Sequence, residues 1–284
     1  MSRRPRRNRP PRLDSPDAAP AAPVGAARAA RAPGARRRLV DARVTGSHVR
    51  LGRDAVRHAI RGLVIGEPQA RLGCDDLCDT GLDEVRAALV KTHGWDPESP
   101  RAAIDPDLTL AAIRTAAARL RDAAEAGARI ALATSRPASL LGLAQWVGGD
   151  AADRGAVVLI ADRATVGGPG RRELWWIGDV AVVTDGLGLL APDAVTAGDD
   201  WLFAVGRPDL VVADRGFAGA AIRAGVEVIA WADLDTPALS LAAARGFPIL
   251  VVPLDEQRPA SAYDAVVHVL DEPEPAPEAP PTPL

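Results

Sequence analysis

The apolar positions of this chain change their period once, near residue 128. Before it they recur at helical spacing. Leu51, Val56, Ile60, Leu63 and Val64 fall near one face of a 3.6-residue period, which predicts a helix within RLGRDAVRHAIRGLVIGE. Leu82 to Lys91 predicts a second helix, ended by His93-Gly94. The third, Pro106 to Ala126, has Asp105 as its expected N-cap, Pro106 in its first turn, and Gly127 as its stop. Leu108, Ala112, Ala116, Leu120 and Ala123 form its apolar stripe.

After residue 128 short apolar runs alternate with small-residue helices. Arg129 to Thr134 predicts a buried strand, 135–139 a loop, and Leu140 to Val147 a helix. Ala156 to Ala161 predicts another strand, with Asp162 at its end. A Gly/Pro loop at 167–170 leads to LWWIGDVAVVTDG, a hairpin of strands 173–177 and 180–184 turning at Gly178-Asp179. Leu210 to Ala213, Val226 to Ala232 and Ile249 to Leu254 then repeat one phrase. Each strand runs into acids: Asp214, Asp233 with Asp235, and Asp255 with Glu256. Strands alternating with helices of about ten residues predict a Rossmann-like α/β fold. It would be a mainly parallel sheet with helices on both faces, preceded by a helical N-terminal region and bordered by an antiparallel pair.

Composition sets the ends apart. Residues 1–38 hold eleven arginines against Asp14 and Asp17, a local balance of +9 that leaves −12 for the rest of a chain of net −3. They have no apolar periodicity and are expected to be a disordered tail, as is PEPAPEAPPTPL at the C-terminus. The expected organisation is therefore a 1–38 tail, a 39–127 helical region packed on the core, a 128–271 α/β core and a 272–284 tail. The basic arm is read as a solvated tail in preference to a nucleic-acid contact. No apolar run reaches the ~20 residues of a membrane helix, and no secretory signal opens the chain. The expectation is a cytoplasmic protein. Cys74 and Cys78 are too few for a disulfide framework, and their spacing is a poor zinc signature. Lys91 is the only lysine, so no other position can supply a P-loop or Schiff-base lysine.

In open α/β sheets ligands sit beyond the carboxyl ends of the strands, so the chemistry is sought there. Thr134, Ser135 and Arg136, between strand and helix, offer two hydroxyls, backbone N–H groups and a guanidinium to a phosphate. The alternative is a capped turn with Arg136 in solvent. Asp214-Arg215-Gly216 opens the next helix, and Gly216 and Gly219 would let a ligand approach the backbone. The full G-x-G-x-x-G is absent. Asp185, Asp214, Asp233 and Asp235 together would suit Mg²⁺, which prefers oxygen ligands. Singly, Asp214 and Asp235 would serve as helix caps. His48, His58, His93 and His268 avoid the predicted strand ends, and G-x-S-x-G is missing, so a Ser-His-Asp relay is not expected. Trp146, Trp175, Trp176, Trp201 and Trp231 read as core or pocket wall.

IDPDLTLAAIRTAAARLRDAAEAGARIALATSRP, IGDVAVVTDGLGLL, PDLVVADRGFAGAA and WADLDTPAL together resemble a family of uncharacterised actinobacterial phosphatases. The resemblance spans about 100–271, with weaker echoes at 43–66. It implies phosphoric ester hydrolysis on a small phosphorylated metabolite, metal-assisted where a divalent cation joins. Asp214 and Asp233 would be catalytic. Asp185, Asp214, Asp233 and Asp235 would hold the metal. Thr134, Ser135, Arg136, Arg215 and Gly216 would hold the phosphate. The chain departs from the family in its histidines. Where members read TGHP, DHG and NDPAL, and where a His-rich stretch comes after the hairpin, it has Thr134-Ser135-Arg136-Pro137, Asp214-Arg215-Gly216, Asp235-Thr236-Pro237-Ala238-Leu239 and Leu190-Ala191-Pro192-Asp193. Arg stays protonated and can be neither metal ligand nor proton carrier. The alternative expectation is thus an inactive paralogue that binds a phosphorylated small molecule or a catalytic homologue. A homo-oligomer is the other partner considered.

Overall fold

The computed structural model describes residues 34–47, 51–77, 79–167, 171–191 and 195–272. The Arg-rich stretch up to 33, Cys78, Pro192, Asp193 and the Pro/Glu stretch from 273 lie outside the described residues. The helical region comprises α1 (Ala35–Asp41), α2 (Arg53–Val64), α3 (Pro68–Arg71), α4 (Leu82–His93) and α5 (Pro106–Glu125). The remainder alternates as β1 (Arg129–Ala133), α6 (Pro137–Asp153), β2 (Val157–Val158), β3 (Ala164–Thr165), β4 (Glu173–Ile177), β5 (Val180–Thr184), β6 (Leu189–Leu190), α7 (Val195–Val205), β7 (Leu210–Asp214), α8 (Arg215–Arg223), β8 (Glu227–Ala232), α9 (Pro237–Ala244), β9 (Ile249–Pro253) and α10 (Asp264–Leu270).

The strands form one sheet in the order β3-β4-β5-β1-β7-β8-β9, with β2 beside β1 and β6 beside β5. Pairings among β5, β1, β7, β8 and β9 are parallel, and β3, β4 and β6 join antiparallel. The α/β expectation with helices on both faces therefore holds. Side chains alternate across a strand, and the two halves of the core follow that period. Ala131, Ala133, Val211, Ala213, Val228 and Ala230 pack with α7, α8, α9, α2 and α4. Ile130, Leu132, Leu210, Val212, Ile229 and Trp231 pack with α5, α6, α10 and Leu39 of α1.

Several elements differ from the sequence reading. The expected strand 156–161 shrinks to Val157–Val158. It pairs only with Arg129 and Ile130, because Val180 and Ala181 of β5 take the second half of β1. Helix α6 extends the expected 140–147 at both ends, with Pro137 in its first turn. Helix α1 begins inside the stretch read as tail and buries Leu39. Helix α7 is missing from the sequence reading, because Gly198, Asp199 and Asp200 interrupt its apolar period. Gly198 is there for contact: a Cβ at this position would lie 2.7 Å from the Gly216 carbonyl oxygen. The hairpin turns as expected, with Gly178 at φ +65°, and Asp105 caps α5 through the Asp107 N–H at 2.8 Å.

Candidate functional site at the carboxyl ends of the strands

The chain leaves β1 for β5 on one side and returns to β7 on the other. Such a switch point is where an open sheet presents its crevice. The segments 134–136, 214–215, 233–235 and 254–256 meet along this rim.

Asp214 ends β7 and is fully buried. Its backbone occupies the N-cap position of α8, but its side chain does not cap that helix. It reaches across to β1 instead, accepting from Thr134 Oγ1 and, at 2.7 Å, from the Ser135 N–H. The Thr134 hydroxyl in turn accepts from the Arg136 N–H at 2.9 Å. The turn expected to cradle phosphate is thus closed by a carboxylate of the protein itself. The cap reading of Asp214 is corrected, and so is that of Asp235: Thr236, not Asp235, holds the N-cap position of α9. Gly216 is buried within α8.

Arg215 opens α8 at φ +44°, a left-handed conformation that costs a non-glycine residue about 1–2 kcal/mol. Its guanidinium is buried between two acids. Nε donates to Glu256 Oε2 at 2.7 Å, and one terminal nitrogen donates to both Asp235 oxygens at 2.7 and 2.9 Å. Arg136 also approaches Glu256, at 3.8 Å. Glu256, a strand-end acid to which the sequence reading gave no role, joins the two arginines. Its backbone carbonyl accepts from Ser139 Oγ at 2.6 Å, which ties α6 to this rim.

Burial shifts the surrounding carboxyls upward. Burial pushes Glu256 up to about 8, against the pull of Arg215. Burial, and then Asp235, Glu256 and Asp255, raise Asp233 well above the usual carboxylate range. Burial also raises Asp214, opposed by its bonds to Thr134 and Ser135. Ser135 Oγ, Asp233 Oδ2 and Glu256 Oε1 are buried without a hydrogen-bond partner.

Asp185 stands apart. It is exposed after β5, and its Oδ1 accepts from the Leu187 and Gly188 N–H groups at 2.9 Å, which lowers its pKa. The four aspartates expected to hold Mg²⁺ do not fit one ion in this arrangement. Asp185 serves its own turn, Asp214 holds residues 134–135, Asp235 holds Arg215, and only Asp233 keeps a buried oxygen without partner. Among the described residues no group of three or more His, Cys, Asp or Glu is placed to hold a metal.

A cavity of about 310 Å³ opens where the helical region covers this rim. Arg215 and Asp235 line it from the sheet side, and His58, Glu67, Gln69 and Leu72 from α2 and the α3 segment. Close packing joins the two walls: a Cβ on Gly219 of α8 would lie 1.6 Å from the Leu72 carbonyl oxygen. His93 adds a second tie, its Nε2 lying 3.2 Å from the Ala232 carbonyl at the end of β8. Of the predicted site residues, the cavity brings together Arg215 and Asp235 alone. His58 is the residue sequence reasoning missed. It lies one step off the apolar stripe of a helix, and no local signal says that this helix covers the strand ends.

These features define the class: an open α/β protein whose strand-end crevice is roofed by a helical region. The sequence model of the family described as Phosphatase matches residues 31–273. The chain belongs to that family, and the match takes in the helical region as well as the sheet. A Streptomyces coelicolor A3(2) protein named Phosphatase SCO2771 is 33% identical over 236 residues, covering 79% of this chain and 88% of that protein.

Proposed function

We propose that this chain hydrolyses the phosphate ester of a small metabolite in the 310 Å³ cavity between α2 and the ends of β7 and β8. The observation that carries the reading is the shared cavity wall: a buried guanidinium, its carboxylate partner and a histidine face one space. Phosphate oxygens displace Asp235 from the terminal nitrogen of Arg215, because a guanidinium pairs equally well with phosphate and carboxylate. The freed Asp235 carboxylate takes a proton from the water that attacks phosphorus. The P–O bond to the substrate breaks, and the His58 ring donates a proton to the leaving oxygen as general acid. The Arg215 charge faces the equatorial oxygens, where negative charge gathers. Asp214 and Asp233, expected to be catalytic, become positioning residues. Asp214 holds the 134–135 turn, and Asp233, its carboxyl pushed up by burial, stands behind the rim. No step is routed through a metal.

One observation favours a second reading. Arg215 already bonds to Glu256 and Asp235, so the cavity's cation is neutralised before any ligand enters. A relative that has lost the reaction and keeps phosphorylated-ligand binding, or pairs with a catalytic homologue, would look like this.

One assay separates them. The purified chain is incubated with p-nitrophenyl phosphate, sugar phosphates and nucleoside monophosphates, each with Mg²⁺, Mn²⁺, Zn²⁺ or EDTA. Hydrolysis requires turnover in the wild type. Asp235→Asn and His58→Gln should each lower it by about 10²–10⁴-fold. A wild type inert in every condition but thermally stabilised by phosphate rejects hydrolysis and leaves the binder.

A further inference from the structure

Helix α2 separates two cavities. Ala55, His58 and Gly62 face the one already described. The opposite face, by the helical period, carries Arg57, Ile60, Arg61 and Val64. These four line a second cavity of about 330 Å³ together with Leu82 and Arg86 of α4. Three arginines line it beside an apolar wall; Arg57 and Arg61 are exposed and Arg86 is half-buried. Arg57 and Arg61 stand four residues apart on one helix face, where like charges repel. Among the described residues the one acid paired with any of the three is Asp83, 3.7 Å from Arg86, and its side chain is 98% exposed. Leu82, at the mouth, is 42% exposed. Three arginines around a concave apolar wall, with no acid among the described lining residues, match a ligand that is anionic at one end and apolar at the other.

We propose that this cavity binds a small molecule carrying two or more phosphate charges on an apolar or planar body, of the nucleoside diphosphate type. Arg57, Arg61 and Arg86 pair with the phosphates, and Ile60, Val64 and Leu82 pack against the body. This site is independent of the hydrolytic reading, since none of its residues lines the strand-end cavity.

The probe is α,β-methylene-ADP, which resists hydrolysis, titrated calorimetrically into the whole chain beside pyrophosphate and adenosine. The expected result is saturable binding of the ADP analogue, weakening as salt rises. Arg57→Ala with Arg61→Ala should weaken it by about tenfold or more, while Arg57→Lys with Arg61→Lys keeps most of it. Pyrophosphate should bind less tightly than the analogue, and adenosine least. Circular dichroism melting verifies that the variants fold. The proposal is overturned if the analogue does not bind, or if the alanine variant binds it as well as wild type. It is likewise overturned if binding falls with Asp235→Asn and not with the arginine variants, which would assign the ligand to the strand-end cavity. Equal affinity for pyrophosphate and the analogue would remove the apolar half of the assignment.

Discussion

Two stretches of the sheet's carboxyl edge, a buried rim after β7 and β8 and an exposed rim after β5, treat a strand-end acid in opposite ways. After β7 and β8 the chain turns into helices at once or within four residues, and those helices pack under the helical region. Asp214 and Asp233 are consequently buried, and burial raises both. After β5 the chain doubles back into β6, the turn at 185–188 is exposed, and Asp185 has a lowered pKa. The residue type is the same, and the direction of its shift is reversed. The element after the strand decides whether an acid joins a buried, charge-coupled network or becomes a solvated turn residue.

The sharpest way to break this contrast is to remove the cation that joins the buried acids. Arg215→Ala leaves Glu256 and Asp235 without their guanidinium. Deleting one partner of a buried pair costs about 3–5 kcal/mol, far more than the pair contributes over an apolar replacement. Urea unfolding should show that loss, and it should be smaller at pH 5.5 than at pH 8.5, because a protonated Glu256 needs no counter-charge. A loss below about 1 kcal/mol, typical of an exposed pair, would show that the two rims do not differ as described.

Next in size is the pH dependence of the buried rim. With Glu256 held at about 8, the folded state keeps a proton that an unfolded glutamic acid, near pH 4.3, has released. Its contribution is full below the unfolded value and is lost as pH rises through the folded one. His93 acts over a lower window. Its burial lowers it to about 4, so stability is lost as pH falls below 6.5. Above pH 6.5 the acids therefore act alone, and stability should decline toward pH 8 with a slope approaching about 1.4 kcal/mol per unit. Glu256→Gln should flatten that slope, as followed by melting temperature across pH 6.5–8.5. An unchanged slope would place the excess protons on Asp233 or Asp214 instead.

Much of this rim is legible in the sequence, and the reason is local. The hairpin follows from Gly178-Asp179 between two apolar runs, and the strand ends follow from the repeated apolar-then-acid phrase. The α/β class needs no more than that alternation. The part that the sequence withholds is tertiary. Asp214 reads equally as a cap or a ligand, since the choice depends on Thr134 and Ser135, 80 and 79 positions away along the chain. Glu256 resembles any strand-end acid until Arg215 and Arg136 meet it. His58 carries no mark, because its role depends on α2 lying over the ends of β7 and β8, strands far later in the chain. Helix α7 is hidden by Gly198, whose reason for being glycine is a contact with Gly216.

The smallest effect belongs to the exposed rim, and its smallness is the point. Asp185 orders its turn through the Leu187 and Gly188 N–H groups, but water can replace both bonds, because the turn is open to solvent. Asp185→Ala should therefore leave the melting temperature near that of wild type and, under the proposed hydrolysis, leave turnover unchanged. Asp185→Asn, which keeps an acceptor oxygen, should be indistinguishable from the parent. The informative readout is hydrogen exchange at the 187 and 188 amides, which should speed up in the alanine variant while amides of β7 and β8 stay protected. A large loss of turnover in Asp185→Ala would join this residue to the buried acids after all. It would revive the four-aspartate metal site and erase the distinction between the two rims.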